Sequence, residues 1–241
     1  MSVKSTNKLA DHMVYYGGLL TIIFYLCFLI IAWILFPNPA SPLDHWLSDL
    51  GRYEVPIDGN PVWRFIDGSY KLYSELGINS IPNLGAIFYN IGCIFTGIMM
   101  MVFFIGLMKI ENSEIKRIKI ITNIFTLLGI IGGIFLILIG IFAEDGIFLI
   151  VNEQLAYPVH HTATLIFFLI LLIIKGVAGY WALKLNLNRF ITIFSWLIII
   201  FDLIVVFTGN NYALIEWLSV LTSLALVGII ALGIRVKFLR L

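Results

Sequence analysis

Ten side chains carry the chemistry that this sequence can offer: His45, Ser48, Asp49, Asn90, Glu144, Asp145, His160, His161, Asp202 and Glu216. All fall inside or just beside long apolar runs, where a polar side chain is costly unless it has a partner or a function. His45, Ser48 and Asp49 belong to D-H-W-L-S-D-L-G. This stretch reads as a short surface helix, and a spacing of four puts His45 and Asp49 on one face. Asn83, Asn90 and Gly97 recur every seven residues and share one stripe of a later helix. Glu144 and Asp145 end the run G-I-F-A-E-D-G, and His160-His161 follow Pro158 at the start of the next.

Histidines among carboxylates can bind Zn²⁺. Here they are adjacent, and neighbours on a helix diverge by about 100°. Neither H-x-x-x-H nor H-E-x-x-H occurs, so an internal hydrogen-bond network is the simpler use. No cofactor is expected; a zinc ion is the alternative these donor types would permit. Ser48 beside Asp49 has the composition of a nucleophile site, but serine at a helix start usually caps it, and there is no G-x-S-x-G elbow. Glu144 and Asp145 read either as a cation or proton site, or as the aqueous end of their helix. Asp202 lies roughly 9 Å inside its helix end. It should face the bundle interior with His160, His161, Asn90 or a water as partner. Lys175, roughly 13 Å from the opposite end of its own helix, reads as a snorkelling lysine at the wrong depth to meet Asp202.

These residues need long helices to hold them. The chain has 241 residues, 61% hydrophobic and 12% charged, with a mean hydropathy of +1.02. A membrane span takes roughly 20 mostly apolar residues. Such runs lie at about 13–36, 84–108, 119–142, 158–183, 190–208 and 212–234. Lipid offers nothing to unpaired backbone groups, so the runs must be helices. The expected architecture is an all-α integral membrane protein, a single six-helix bundle over 1–241. Its first run is a span rather than a cleaved signal, and its long first loop covers about 37–83. Gly129 and Gly133 form G-x-x-x-G, which with Gly140 fits close helix packing. Cys27 and Cys93 fall within spans, so neither staples a loop. No internal repeat relates the first three helices to the last three, as an inverted-repeat transporter would tend to show.

Lys8, Lys109, Lys116, Arg117, Lys119, Lys184, Arg189 and Arg235 cluster in segments on one side of such a bundle. The positive-inside rule makes that side cytoplasmic, with both termini there. Glu111 and Glu114 join this solvated face. The opposite side carries Asp44, Asp49, Glu54, Asp58, Asp67, Glu75, Glu144, Asp145, Glu153 and Glu216 against Arg52, Arg64 and Lys71, so the external face is acidic. Trp33, Trp63, Tyr157, Tyr212 and Trp217 fall near that boundary, where aromatic rings favour the headgroup layer. Trp63, Phe65, Tyr70 and Tyr73 would let the loop rest on the membrane. The balance of charge gives no reason to expect nucleic acid as a partner, and membrane lipids are the expected one. The location follows as a multi-pass protein of the cell membrane.

The order S-D-L-G (Ser48–Gly51), Tyr89-Asn90, G-I-F-A-E-D-G and His160-His161-Thr-Ala resembles a prokaryotic family of uncharacterised six-helix membrane proteins. That family is similar to the eukaryotic DRAM, FRAG and Sfk group. Ala143 stands where the family pattern has proline, and the insertion at about 52–80 is longer. The resemblance implies that Asp49, Asn90, Asp145 and His160 or His161 matter, and that lipid organisation or glycolipid-anchor remodelling is the neighbouring biology. The leading expectation is a lipid-binding protein with a polar cavity at outer-leaflet depth. The alternatives are a lipid hydrolase or acyl-transfer enzyme, metal-dependent or not, with His160 or His161 as base or ligand, and a transporter or proton-coupled channel using Asp202 and Lys175.

Overall fold

The computed structural model describes residues 8–37, 40–56, 62–64, 70–77, 80–110, 116–146, 148–152, 155–209 and 212–238. Asp58, Phe65, Asp67, Glu111, Glu114 and Glu153 lie outside the described residues, as do the side chains of Trp63, Arg64, Tyr70, Tyr73 and Tyr157. Six helices carry the chain: α1 Lys8–Leu35, α2 Gly85–Ile110, α3 Lys116–Ile141, α4 Val159–Lys184, α5 Arg189–Thr208 and α6 Ala213–Phe238. All six are long and apolar enough to cross a membrane. Each packs on its neighbour in sequence, and α6 closes the ring on α1. Arg235 stacks over the Tyr15 ring, so the start of α1 and the end of α6 share one end of the bundle. That end also carries the basic connections. We call it the terminal end, and the other the loop end.

Three kinds of contact hold the ring. Between α2 and α3, a Cβ on Gly97 would lie 2.6 Å from the Gly133 carbonyl oxygen, and one on Gly133 would lie 2.8 Å from that of Gly97. Only glycine permits this backbone approach. Near the terminal end, Phe103, Phe104, Phe125 and Trp181 form a continuous aromatic stack, and the Trp181 indole N–H donates to Thr122. Between α4 and α5 the turn is short. Asn186 adopts a positive φ of 50°, and the Asn188 side chain caps α5 by accepting from the Phe190 N–H.

The two longer loop-end connections contain strands that hydropathy alone reads as loop. In the first, β1 Glu54–Pro56 pairs antiparallel with β4 Ser80–Pro82. Between them β2 Val62–Arg64 pairs with β3 Tyr70–Leu72. The second, after α3, is the hairpin of β5 Phe148–Asn152 with β6 Leu155–Pro158. It leads straight into α4.

Candidate functional site

The segment between α1 and β1 folds down onto the loop end and is fastened there from two sides. It turns through a single 3-10 helix, Ser48–Gly51. On the α6 side, the Glu216 carboxylate accepts from the backbone N–H of Leu47 (2.7 Å) and of Ser48 (3.4 Å). It thus caps the helix start across 169 residues. Trp217 donates its indole N–H to the His45 carbonyl. On the α2 side, the Asn90 side chain donates to the Gly51 carbonyl. Asn83 donates to the carbonyls of Leu50 and Arg52 while accepting from the Gly85 N–H at the start of α2. Trp217 is therefore a buried clamp at 3% exposure rather than a headgroup-facing ring, while Tyr212 is exposed.

Below this cap lies a cavity of about 650 Å³. Its upper wall comes from Trp46, Ser48, Asp49, Arg52 and Glu144. One side is the first turns of α4, with His160, His161 and Thr164, and another is α6, with Glu216 and Ser219. Along α4 the wall turns apolar with depth, through Leu165, Phe168, Leu169 and Leu172, while on α5 Val205 and Val206 stand nearer the loop end than Asp202. Leu165, Leu169 and Val206, on the α4 and α5 walls of the cavity, stand 61%, 53% and 64% exposed, so the cavity is accessible on its α4–α5 side.

The polar end is a small ionic network. Arg52 donates to Glu144 at 2.5 Å and lies 3.5 Å from Asp49. His161 bonds the same Glu144 oxygen at 3.3 Å. Burial would lift the Glu144 carboxyl, but the His161 hydrogen bond and the Arg52 guanidinium outweigh it and hold it at about 2. Asp49 goes the other way. Burial, then the Glu144 charge, push it up to about 6, against the pull of Arg52 and of the Trp46 N–H. Burial also works against the Arg52 charge, but the three carboxylates around it raise its pKa above the ordinary value. His160 fixes its own tautomer. Its Nδ1 lies 2.8 Å from the Phe142 carbonyl, which can only accept, so Nδ1 carries the proton and Nε2 is left as an acceptor. Among the described residues, that Nε2, the second Glu144 oxygen, the Thr164 hydroxyl and the Arg52 Nε have no hydrogen-bond partner.

Of the ten residues singled out from sequence, Ser48, Asp49, Glu144, His160, His161, Asp202 and Glu216 line the cavity. The other three do not. Asn90 is committed to Gly51. Asp145 accepts from the Glu54 N–H at the surface. His45 is buried beside Phe36, its Nδ1 accepting from the Ser41 N–H. His45 precedes the 3-10 helix instead of sharing an α-helical face with Asp49, and this separates the two. Ser48 does not cap by its side chain; Glu216 does that work.

The partner of Asp202 is Lys175, contrary to the expectation from sequence. The Lys175 ammonium donates to Asp202 Oδ2, and to the Ser219 hydroxyl at 3.2 Å. Lys175 is 1% exposed and does not snorkel. Counted from the shared turn of α4 and α5, Asp202 stands only about 6 Å above Lys175, within reach of a lysine side chain. Each Cα–Cβ bond also tilts toward its own helix N-terminus, so on antiparallel helices the two side chains lean toward each other. Arg52, Thr164 and Trp46 are lining residues that sequence reasoning missed. Thr164 alone had a signal, one helical turn after His160. Among the described residues, no group of three or more His, Cys, Asp or Glu side chains is arranged to hold a metal ion.

Six helices of this length and apolarity define a multi-pass helical membrane protein. The chain belongs to the family described as "Protein of unknown function (DUF998)", whose profile matches residues 61–233. No curated protein and no solved structure matches it.

Proposed function

We propose that the protein binds a membrane lipid, or an amphiphile of similar build, in this cavity. One observation carries the reading: the cavity joins a polar end to apolar walls on α4 and α5, two helices long and apolar enough to cross a membrane. A ligand reaching it from the membrane must have a polar head and a hydrocarbon tail. Sites of this size that combine apolar walls with a few converging polar groups are typical small-molecule pockets. By the positive-inside rule, the basic terminal end supports a cavity at outer-leaflet depth of the cell membrane. The resemblance to the DRAM, FRAG and Sfk group, whose members are linked to lipid organisation, agrees with this. Mass spectrometry of gently purified protein tests it: one amphiphile per chain should co-purify, and Leu169→Trp, which fills the accessible side, should reduce its occupancy. Equal occupancy in the variant would reject the reading.

A second reading keeps the same ligand and adds hydrolysis, because the free Nε2 of His160 is a general base in form. Turnover of lipid esters by the purified protein, abolished in His160→Gln, would establish it.

A further inference from the structure

We infer that the head of the bound amphiphile is a protonated amine. The inference rests on the amphiphile reading above. It starts from the charges that face the cavity. Asp49, Glu144, Asp202 and Glu216 line it, and Arg52 is the one lysine or arginine among the lining residues. Lys175, just behind the wall, is matched by Asp202, and Arg52 is nearest to Glu144. This leaves Asp49 with a share of Arg52 at 3.5 Å, and Glu216 with backbone N–H groups alone. The polar end is therefore short of positive charge. A carboxylate taken out of water without a full counter-charge is costly, and an incoming cation relieves that cost. An anionic head would add to it.

Most of the unmet hydrogen bonds point to the same chemistry; the one unmet donor at this end among the described residues, Arg52 Nε, faces Asp49 at 3.5 Å. His160 is 1% exposed, lines the cavity, and keeps an Nε2 that can only accept. Glu144, 9% exposed at its side chain, keeps an oxygen that can only accept. The Thr164 hydroxyl can do either. An ammonium brings three donors and one positive charge. A phosphate, sulfate or carboxylate brings acceptors to acceptors. A glycerol or sugar head brings donors but no charge. The raised carboxyl of Asp49 is a separate sign of the same deficit.

The test uses the full chain in phosphatidylcholine nanodiscs and four ligands with one dodecyl chain each: dodecylamine, dodecyltrimethylammonium, 1-dodecylglycerol and dodecyl phosphate. Occupancy is read by native mass spectrometry. Dodecylamine should bind about tenfold more tightly than dodecylglycerol, as charge-assisted bonds exceed neutral ones. The trimethylammonium, charged but without donors, should fall between them, and the phosphate should bind weakest. Glu144→Gln should remove most of the preference for amine over glycerol. Asp49→Asn keeps an oxygen for the Trp46 N–H and serves in its place if that variant does not fold. Equal binding of amine and glycerol, or tighter binding of phosphate, overturns the ammonium head and leaves the amphiphile reading standing. Failure of all four ligands to bind, with Leu169→Trp indistinguishable from the parent, overturns both.

Discussion

Lys175 and Asp202 meet among the helices, while Arg52, Asp49 and Glu144 meet where the first loop folds over them. Both groups put carboxylates and cations out of water. The inner pair is nearly complete: one ammonium, one carboxylate, and the Ser219 hydroxyl and carbonyl for the remaining donors. The outer group has more acidic than basic members and, among the described residues, leaves Glu144 Oε2, His160 Nε2, the Thr164 hydroxyl and one donor, Arg52 Nε, unmet. A closed set of charges fastens α4 to α5 and to α6. An open set, at the polar end of a cavity, has capacity left for something else. Burial alone therefore does not separate structural charges from binding ones; the count of unmet partners does.

The largest expected effect tests the closed pair. Lys175→Met leaves Asp202 without its counter-charge and should cost about 3–5 kcal/mol, seen as a lowered melting temperature in detergent. Lys175→Met with Asp202→Leu should recover most of that loss. A double variant no better than the single one would break the description of the pair as self-contained.

Acid should act on the open group in two opposite stages. Glu144 sits at about 2, below its ordinary 4.5. It therefore contributes stability above pH 4.5 that is lost as pH falls toward 2, roughly 3 kcal/mol in full. Asp49 is raised from 3.8 to about 6, so the fold holds its proton more tightly than the unfolded chain does, and stability grows as pH falls from 6 toward 4. Melting temperature should thus rise on mild acidification and fall below about pH 4.5. In Asp49→Asn the rise should shrink and the fall remain. A stability that only declines from neutral pH downward would show that Asp49 is not held as described.

Smaller effects probe the cap that covers the open group. Glu216→Gln weakens the charged acceptor for the Leu47 and Ser48 N–H groups, at about 2 kcal/mol for charge-assisted bonds. Hydrogen exchange at residues 47–51 should quicken while α2 and α3 stay protected. Asn90→Ala removes one bond to Gly51 and should cost about 1 kcal/mol, without abolishing ligand occupancy. Loss of occupancy from Asn90→Ala equal to that from Leu169→Trp would move Asn90 from the cap into the binding site.

The six spans were legible because a bilayer demands a length and a composition that little else imitates. α1 starts at Lys8, ahead of its apolar core at Met13, because backbone hydrogen bonding continues through Asp11 and His12 where hydropathy stops. Convergence of polar groups at the loop end was legible too, since depth follows from position along a helix. Partners were not. The Lys175–Asp202 pair escaped because the two depths were counted from opposite membrane faces and at Cα. Arg52 escaped because it follows Ser48–Gly51 in what reads as solvent loop, and only folding of that loop onto Glu144 brings it inward. His45 and Asn90 had the right depth but serve the cap, a distinction that spacing does not carry.

If the accessible α4–α5 side of the cavity faces lipid, as proposed, concentration takes a different meaning for the protein. A molecule reaching the cavity there never crosses water, so its occupancy follows its mole fraction among neighbouring lipids rather than its amount per volume of solution. The leaflet at the loop end is the one that supplies it. Two membranes of equal total composition but opposite asymmetry would fill the same site to different extents, and flipping one lipid class between leaflets would load or empty it with no change in the amount present.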